Sequence, residues 1–355
     1  MDVHDGEIGV TRADDFEMRN LLELAARLGR DPLAIQGPGG NISLKRDGVM
    51  WVKASGTWMA EATERPILIP VDVAAVLEGL AAGDSACETC NAFVRRDLTD
   101  LSLRPSIETT LHAVMPQRVV VHVHCVETIA MACLSDAAER LAAPLSGLNW
   151  TFVPYVRPGA SLGRRIAEYL VAGTNVVVLG NHGLVVAGDS VSEAERLRLE
   201  VSRRLARATR AAPPADRDAL ESAQGGGYSI AEDDRSHAIA TDPISFAIAA
   251  RGSLYPDHVV FLGPGIVATE AGESAADVAQ RTGRIAVPLV VVPGAGVLLH
   301  EAATPAARAL IRCLADVTCR LQTNDSIEPL RPDDEAQLLN WDAEKYRQSL
   351  DARTS

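Results

Sequence analysis

Two short, strongly apolar runs, Asn175–Leu179 and Leu184–Ala187, are joined by Gly180-Asn181-His182-Gly183. Runs this short and this rich in β-branched residues are too brief for helices and read as buried strands. Val119–His124 is a third run of the same kind. The turn between the first two places an imidazole at a strand end, between glycines that let the backbone reverse sharply. A polar ring in so apolar a setting is costly unless it has a partner.

Around these strands the sequence alternates with helical patterns. Residues 14–29 carry Phe16, Leu21, Leu24 and Leu28 at helical spacing, with an acidic start and Gly29 at the end. Residues 42–53 read as a hairpin turning at Asp47-Gly48. Helices are predicted over 72–82, from Ser106 as N-cap through Met115, over 126–142 and over 191–210. Pro213-Pro214 and Gly225-Gly226-Gly227 bracket a predicted linker. Beyond it, helices over 243–250 and 273–282 alternate with strands over 258–262 and 286–292, and helices over 304–321 and 333–349 close the chain. The expected organisation is a first domain over 1–212, a linker over 213–235 and a C-terminal α/β extension over 236–355.

Composition removes several classes of function. The formal net charge is −13, and no Lys/Arg run offers a nucleic-acid footprint. The N-terminal ten residues lack a basic and an apolar region, so no signal peptide is expected, and no apolar run reaches membrane-spanning length. The six cysteines are irregularly spaced, which suits reduced thiols in a cytoplasmic protein. Cys87 and Cys90 have the spacing of half a zinc ribbon, but no second pair follows, and they read as ordinary thiols. Gly263-Pro264-Gly265 and Pro293-Gly294-Ala295-Gly296 lack dinucleotide-binding spacing and read as strand-end turns.

His122 and His124 lie two apart on a predicted strand, so both rings project from one face while Val121 and Val123 enter a core. Alone, such a pair is more often a surface or core pair than a metal site. With His182 the set is three neutral nitrogen donors, the number that a catalytic zinc takes from protein while keeping a position open. Glu108 falls in the first turn of a predicted helix, where a carboxylate also serves the helix dipole. His112 follows one turn later and reads as a packing or supporting residue.

Taken together, Gly40-Asn41, Lys53-Ala54-Ser55-Gly56, Pro105-Ser106-Ile107-Glu108-Thr109 with His112, His122-Val123-His124 and Asn181-His182-Gly183 resemble the class II aldolase/adducin family in order and spacing. Pro256-Asp257-His258-Val259 and Asn340-Trp341-Asp342-Ala343-Glu344-Lys345-Tyr346-Arg347 are similar to the extension in the aldolase half of bifunctional aldolase/short-chain-dehydrogenase proteins. The resemblance implies a three-layer α/β/α domain with a mainly antiparallel central sheet. It implies Zn2+ or another divalent metal on His122, His124 and His182, with Glu108 as acid/base. Gly40, Asn41, Ser55, Gly56 and Ser106 match the family's phosphate-binding positions, whereas its second serine is Ile107 here. The implied reaction is retro-aldol cleavage of a ketose or ketose 1-phosphate through a metal-stabilised enediolate, by a homotetramer acting on a small sugar or sugar phosphate. Epimerase or dehydratase chemistry on the same metal, or a non-catalytic adducin-like binding module, are the alternatives.

Overall fold

The computed structural model describes residues 12–284 and 287–352. The N-terminal ten residues, His4 among them, lie outside the described residues. The chain opens on α1 (Arg12–Arg30), followed by the hairpin of β1 (Asn41–Arg46) and β2 (Val49–Lys53). Asp47 and Gly48 take φ of 50° and 77°, the left-handed pair that a two-residue hairpin turn requires. Then come β3 (Leu68–Asp72), α2 (Val73–Ala82), α3 (Thr109–Val114) and β4 (Val119–Val123). They are followed by α4 (Val126–Ala132), α5 (Ala137–Ala142), β5 (Trp150–Val153) and α6 (Ala160–Tyr169). The first half ends on β6 (Val176–Leu179), β7 (Gly183–Gly188) and α7 (Val191–Leu205).

These strands form a seven-stranded sheet in the order β3-β2-β1-β4-β7-β6-β5. Every neighbouring pair is antiparallel except β5 with β6. Helices α1, α4 and α7 cover one face, and α2, α3 and α6 the other. This is the three-layer α/β/α arrangement that the resemblance implies. Period-two alternation sorts β4 between the layers. Val119, Val121 and Val123 enter one core with Val178 and Val186, while Val120 enters the other with Leu111, Val153 and Ile166.

The C-terminal half comprises α8 (Arg217–Ala223), β8 (Tyr228–Ile230), α9 (Ala238–Thr241), α10 (Pro243–Ala249), α11 (Pro256–Leu262) and α12 (Ala275–Thr282). After them come β9 (Leu289–Val292), β10 (Gly296–His300), α13 (Pro305–Thr318), α14 (Pro332–Leu339) and α15 (Asp342–Asp351). A small antiparallel sheet runs in the order β8-β10-β9. Val126 and Ile129 of α4 share one core with Leu310 and Leu314 of α13. Asp325 anchors the join, accepting from Arg140 at 2.9 Å and Arg207 at 2.7 Å.

Several sequence expectations are corrected. The expected strand over 258–262 is helix α11: all seven of its residues are buried, so no periodicity shows, and Pro256 sits at the first turn where proline favours a helix. Ser106 does not cap a helix. Its N–H donates to Lys53 O at 3.0 Å, which ties it to the end of β2. Helix α3 therefore starts only after Glu108, which occupies the N-cap position. The helix expected over 126–142 breaks at Cys133–Asp136, where Leu134 bridges to Ile327. The helix expected over 191–210 ends at Leu205. The stretch read as a linker carries α8 and β8. The final helix expected over 333–349 divides at Asn340-Trp341 into α14 and α15.

Candidate metal centre and its pocket

The seven-stranded sheet presents His122 on β4, His124 just beyond its end and His182 in the β6–β7 turn. Register does the placing: His122 pairs with Val185 across β7, and Val123 with Leu184. That brings the β6–β7 turn alongside His124. Asn181 holds the turn, adopting φ of 49°, a conformation asparagine tolerates better than most residues. Its Nδ2 donates to Leu254 O at 3.1 Å and to Glu328 O at 2.8 Å, both in the C-terminal half.

One ligand atom from each of Glu108, His122, His124 and His182 lies within 4.8 Å of the other three, and all four residues are buried. Nε2 of His124 is 3.1 Å from Nε2 of His122, and Glu108 Oε1 is 3.2 Å from His122 Nε2 and 3.3 Å from His182 Nε2. Four donors on one zinc at 2.0–2.1 Å would be separated by about 3.3 Å. The outer atoms add a constraint. Nδ1 of His122 faces Leu184 O at 3.0 Å, and Nδ1 of His124 faces Asp257 Oδ2 at 2.9 Å. With Nδ1 of each ring turned to an oxygen, the two Nε2 atoms converge on one point. Two ring nitrogens 3.1 Å apart, with a carboxylate oxygen beside them, are spaced to share one cation. The donor set therefore fits a divalent metal ion.

The electrostatics agree. Burial works against a charged His122, but the Glu108 carboxylate and the Leu184 carbonyl outweigh it and raise its pKa above the ordinary value. Positive charge is favoured at this point. Burial lowers His182 to about 4 against the pull of Glu108, which keeps that ring neutral. Burial pushes Glu108 up, yet His122 and His182 prevail and hold its carboxyl well below the usual range.

The cluster opens on a pocket lined by Gly40, Ser55, Gly56 and Ser106 together with Glu108, His124 and His182. Asn41 stands one residue back, and its Oδ1 accepts from the Ile42 N–H at 2.8 Å. Gly39 is required for close approach: a Cβ there would lie 2.9 Å from Asp257 Oδ2 and 3.0 Å from His124 Nδ1. His112 stays outside the cluster, with Nδ1 2.8 Å from Ser43 Oγ. Cys87 and Cys90 are buried free thiols. His258 bonds to Gly265 O at 3.0 Å, away from the site.

Four further pocket residues carry charge that local sequence patterns do not assign to a site: Lys53, Asp257, Glu344 and Arg347. Arg347 Nη1 donates to Glu344 Oε2 at 2.9 Å and Nη2 donates to Asp257 Oδ1 at 3.0 Å. A buried chain of charges thus runs from α15 through Asp257 to His124. Burial raises Glu344 to about 7, with Arg347 pulling the other way. Burial lowers Lys53 to about 7, helped by Arg347 and opposed by Glu108 and Asp257. The sequence signal for three of them is the pair of blocks around Asp257 and Arg347, through their resemblance to a known extension.

Residues 19–209 match the model of the Class II Aldolase and Adducin N-terminal domain. The chain is 31% identical over 176 residues to the uncharacterized oxidoreductase YuxG of Bacillus subtilis, covering 46% of this chain and 25% of that protein. It is 32% identical over 104 residues to 3-oxo-tetronate 4-phosphate decarboxylase of Escherichia coli strain K12, covering 26% of this chain and 49% of that one. The chain thus spans a quarter of the length of the first relative and about half that of the second. Among solved structures, the N-terminal class II aldolase domain of a conserved protein from Thermoplasma acidophilum aligns with a TM-score of 0.48 and 23% identity, covering 57% of this chain and 98% of that one. An L-fuculose 1-phosphate aldolase aligns with a TM-score of 0.40 and 18% identity, covering 56% and 86%.

Proposed function

Because this chain belongs to the class II aldolase and adducin family, we propose that it is a divalent-metal-dependent lyase that cleaves a ketose or ketose phosphate by retro-aldol chemistry. The observation that carries this reading is the buried cluster of Glu108, His122, His124 and His182, with ligand atoms within 4.8 Å of one another. His122, His124 and His182 would hold the ion, zinc by preference for its affinity for imidazole, with Glu108 as the neighbouring carboxylate. Once bound, the ion supplies Lewis-acid polarisation of the substrate's oxygens.

The remaining work falls to the chain. Glu108 is ionised at neutral pH, because the histidines beside it hold its carboxyl low. It can therefore accept a proton and return it to the carbanion that C–C cleavage leaves. Gly40, Ser55, Gly56 and Ser106 line the side of the pocket where the rest of the substrate lies, with Asn41 behind them. Ser55 Oγ is buried without a hydrogen-bond partner, which suits it to a substrate oxygen. Residues 1–212 are taken as the catalytic unit, and the extension over 236–355 completes the pocket wall with Asp257, Glu344 and Arg347.

The test is a screen of ketoses and ketose 1-phosphates for aldehyde release, before and after chelation and metal return. Metal-dependent release supports the reading, and no release from any member by the metal-loaded protein contradicts it. Similarity to 3-oxo-tetronate 4-phosphate decarboxylase favours one second reading, metal-dependent decarboxylation of a 3-keto sugar acid. Carbon dioxide release in the same screen identifies that case.

A further inference from the structure

We infer that Arg347 is a positioning residue of the metal centre, acting on His124 through Asp257, so that the C-terminal helix belongs to the framework of the site. The inference rests on the metal-dependent lyase reading above and adds to it a residue one carboxylate removed from the ligands.

The buried residues of α15 are Ala343, Glu344, Arg347 and Asp351. Glu344, Arg347 and Asp351 recur at helical spacing, so the face turned to the protein is a charged stripe where an apolar one is usual. Taking a guanidinium and its partners out of water costs about as much as their pairing returns, and apolar residues of similar volume often serve stability as well or better. Docking of the helix alone therefore does not account for Arg347.

Its partners do. Nη1 donates to Glu344 Oε1 at 3.1 Å and Oε2 at 2.9 Å, and Nη2 donates to Asp257 Oδ1 at 3.0 Å. Phe261, on the same helix as Asp257, lies beside the guanidinium, with its ring centroid 5.4 Å from Cζ. A guanidinium presents its donors in a rigid planar fork, so one oxygen of Asp257 is fixed to α15. The other, Oδ2, is buried with no further hydrogen-bond partner and faces His124 Nδ1 at 2.9 Å. Without the fork, the carboxylate is free to turn about its last, soft torsion, and His124 loses a fixed neighbour. Outer partners of this kind hold metal-binding imidazoles in orientation.

The test is the zinc affinity of the full chain, measured by competition with a chromophoric chelator in variants whose melting transitions confirm folding. Arg347→Met should weaken zinc binding by about tenfold, the lower end of the range for outer partners of metal ligands. Arg347→Lys keeps the charge without the fork and should lose less. In an Asp257→Ala background, Arg347→Met should cost nothing further, because the link to His124 is already cut. Trp341→Ala controls for general loosening of the helix. Trp341 packs at the other end of α15, on Gly159, where a Cβ would lie 2.8 Å from its ring, and its ring centroid is 4.1 Å from Arg157 Cζ. That variant should keep the zinc affinity of wild type. Three results overturn the inference: wild-type affinity in Arg347→Met, an equal loss with and without the Asp257→Ala change, or an equal loss in Trp341→Ala. If Arg347→Met does not fold, Arg347→Lys takes its place in the same comparisons. The measurement needs no substrate. A chain that binds zinc but cleaves no ketose ends the lyase reading and leaves this test standing, whereas wild type that binds no zinc ends both.

Discussion

Asp257 Oδ2 stands 2.9 Å from Nδ1 of His124, so a carboxylate of the C-terminal extension pairs with a histidine at the end of β4. Carboxylates that hold the outer nitrogen of a metal-binding imidazole typically contribute 10–100-fold to metal affinity. Asp257→Ala should weaken zinc binding by about that factor, measured by competition with a chromophoric chelator, while Asp257→Asn should lose less. Unchanged affinity in the alanine variant would show that this carboxylate does not support the site.

Glu108→Gln separates a proton carrier from a carboxylate that merely starts a helix. The amide keeps the shape, and three imidazoles remain for the metal. Turnover should fall by about 10²–10⁴-fold, the usual size of a general acid–base contribution. Exchange of the donor ketone's α-proton with solvent should fall in step. If the residue serves only the end of α3, the change should cost about 0.3–1 kcal/mol of stability and leave turnover intact.

Glu344 predicts a pH dependence of stability. Burial raises it from 4.5 to about 7, in a setting that also contains Arg347, Asp257 and Glu108. The folded state thus favours the protonated form. That contribution is fully present below 4.5 and is lost as pH rises through about 7. A shift of this size corresponds to about 3 kcal/mol at most. Glu344→Gln, which stays neutral, should therefore match wild type near pH 5 and melt higher than wild type near pH 8. A constant difference in melting temperature across that range would contradict the assignment.

The sheet that carries the candidate metal cluster is largely legible in the sequence. VVVL and LVVA are short, apolar and bounded by glycine, and the period of two by itself puts His122 and His124 on one face. The Asp47-Gly48 turn announces its hairpin in the same way. Other elements leave weaker marks. Edge strand β3 contains Pro70, a residue that obscures a strand pattern and is tolerated at an edge. Helix α11 is buried on all sides, so its seven residues show no stripe. The roles of Asp257, Glu344 and Arg347 come from tertiary packing. Nothing local to α11 or α15 tells that the two helices meet beside His124.

Assembly is a separate expectation. The family resemblance implies a homotetramer, and light scattering of the purified chain at micromolar concentration should return four times the subunit mass. A monomer under those conditions would remove the expectation without touching the metal centre.

Metal content tests the central claim most directly. Wild-type protein should hold about one divalent ion per subunit, by the three-nitrogen rule for catalytic zinc. His122→Ala and His182→Ala should each lose that ion while keeping the circular dichroism of the folded chain. Unchanged occupancy in both variants would contradict the account, because the metal would then be bound away from the cluster of Glu108, His122, His124 and His182.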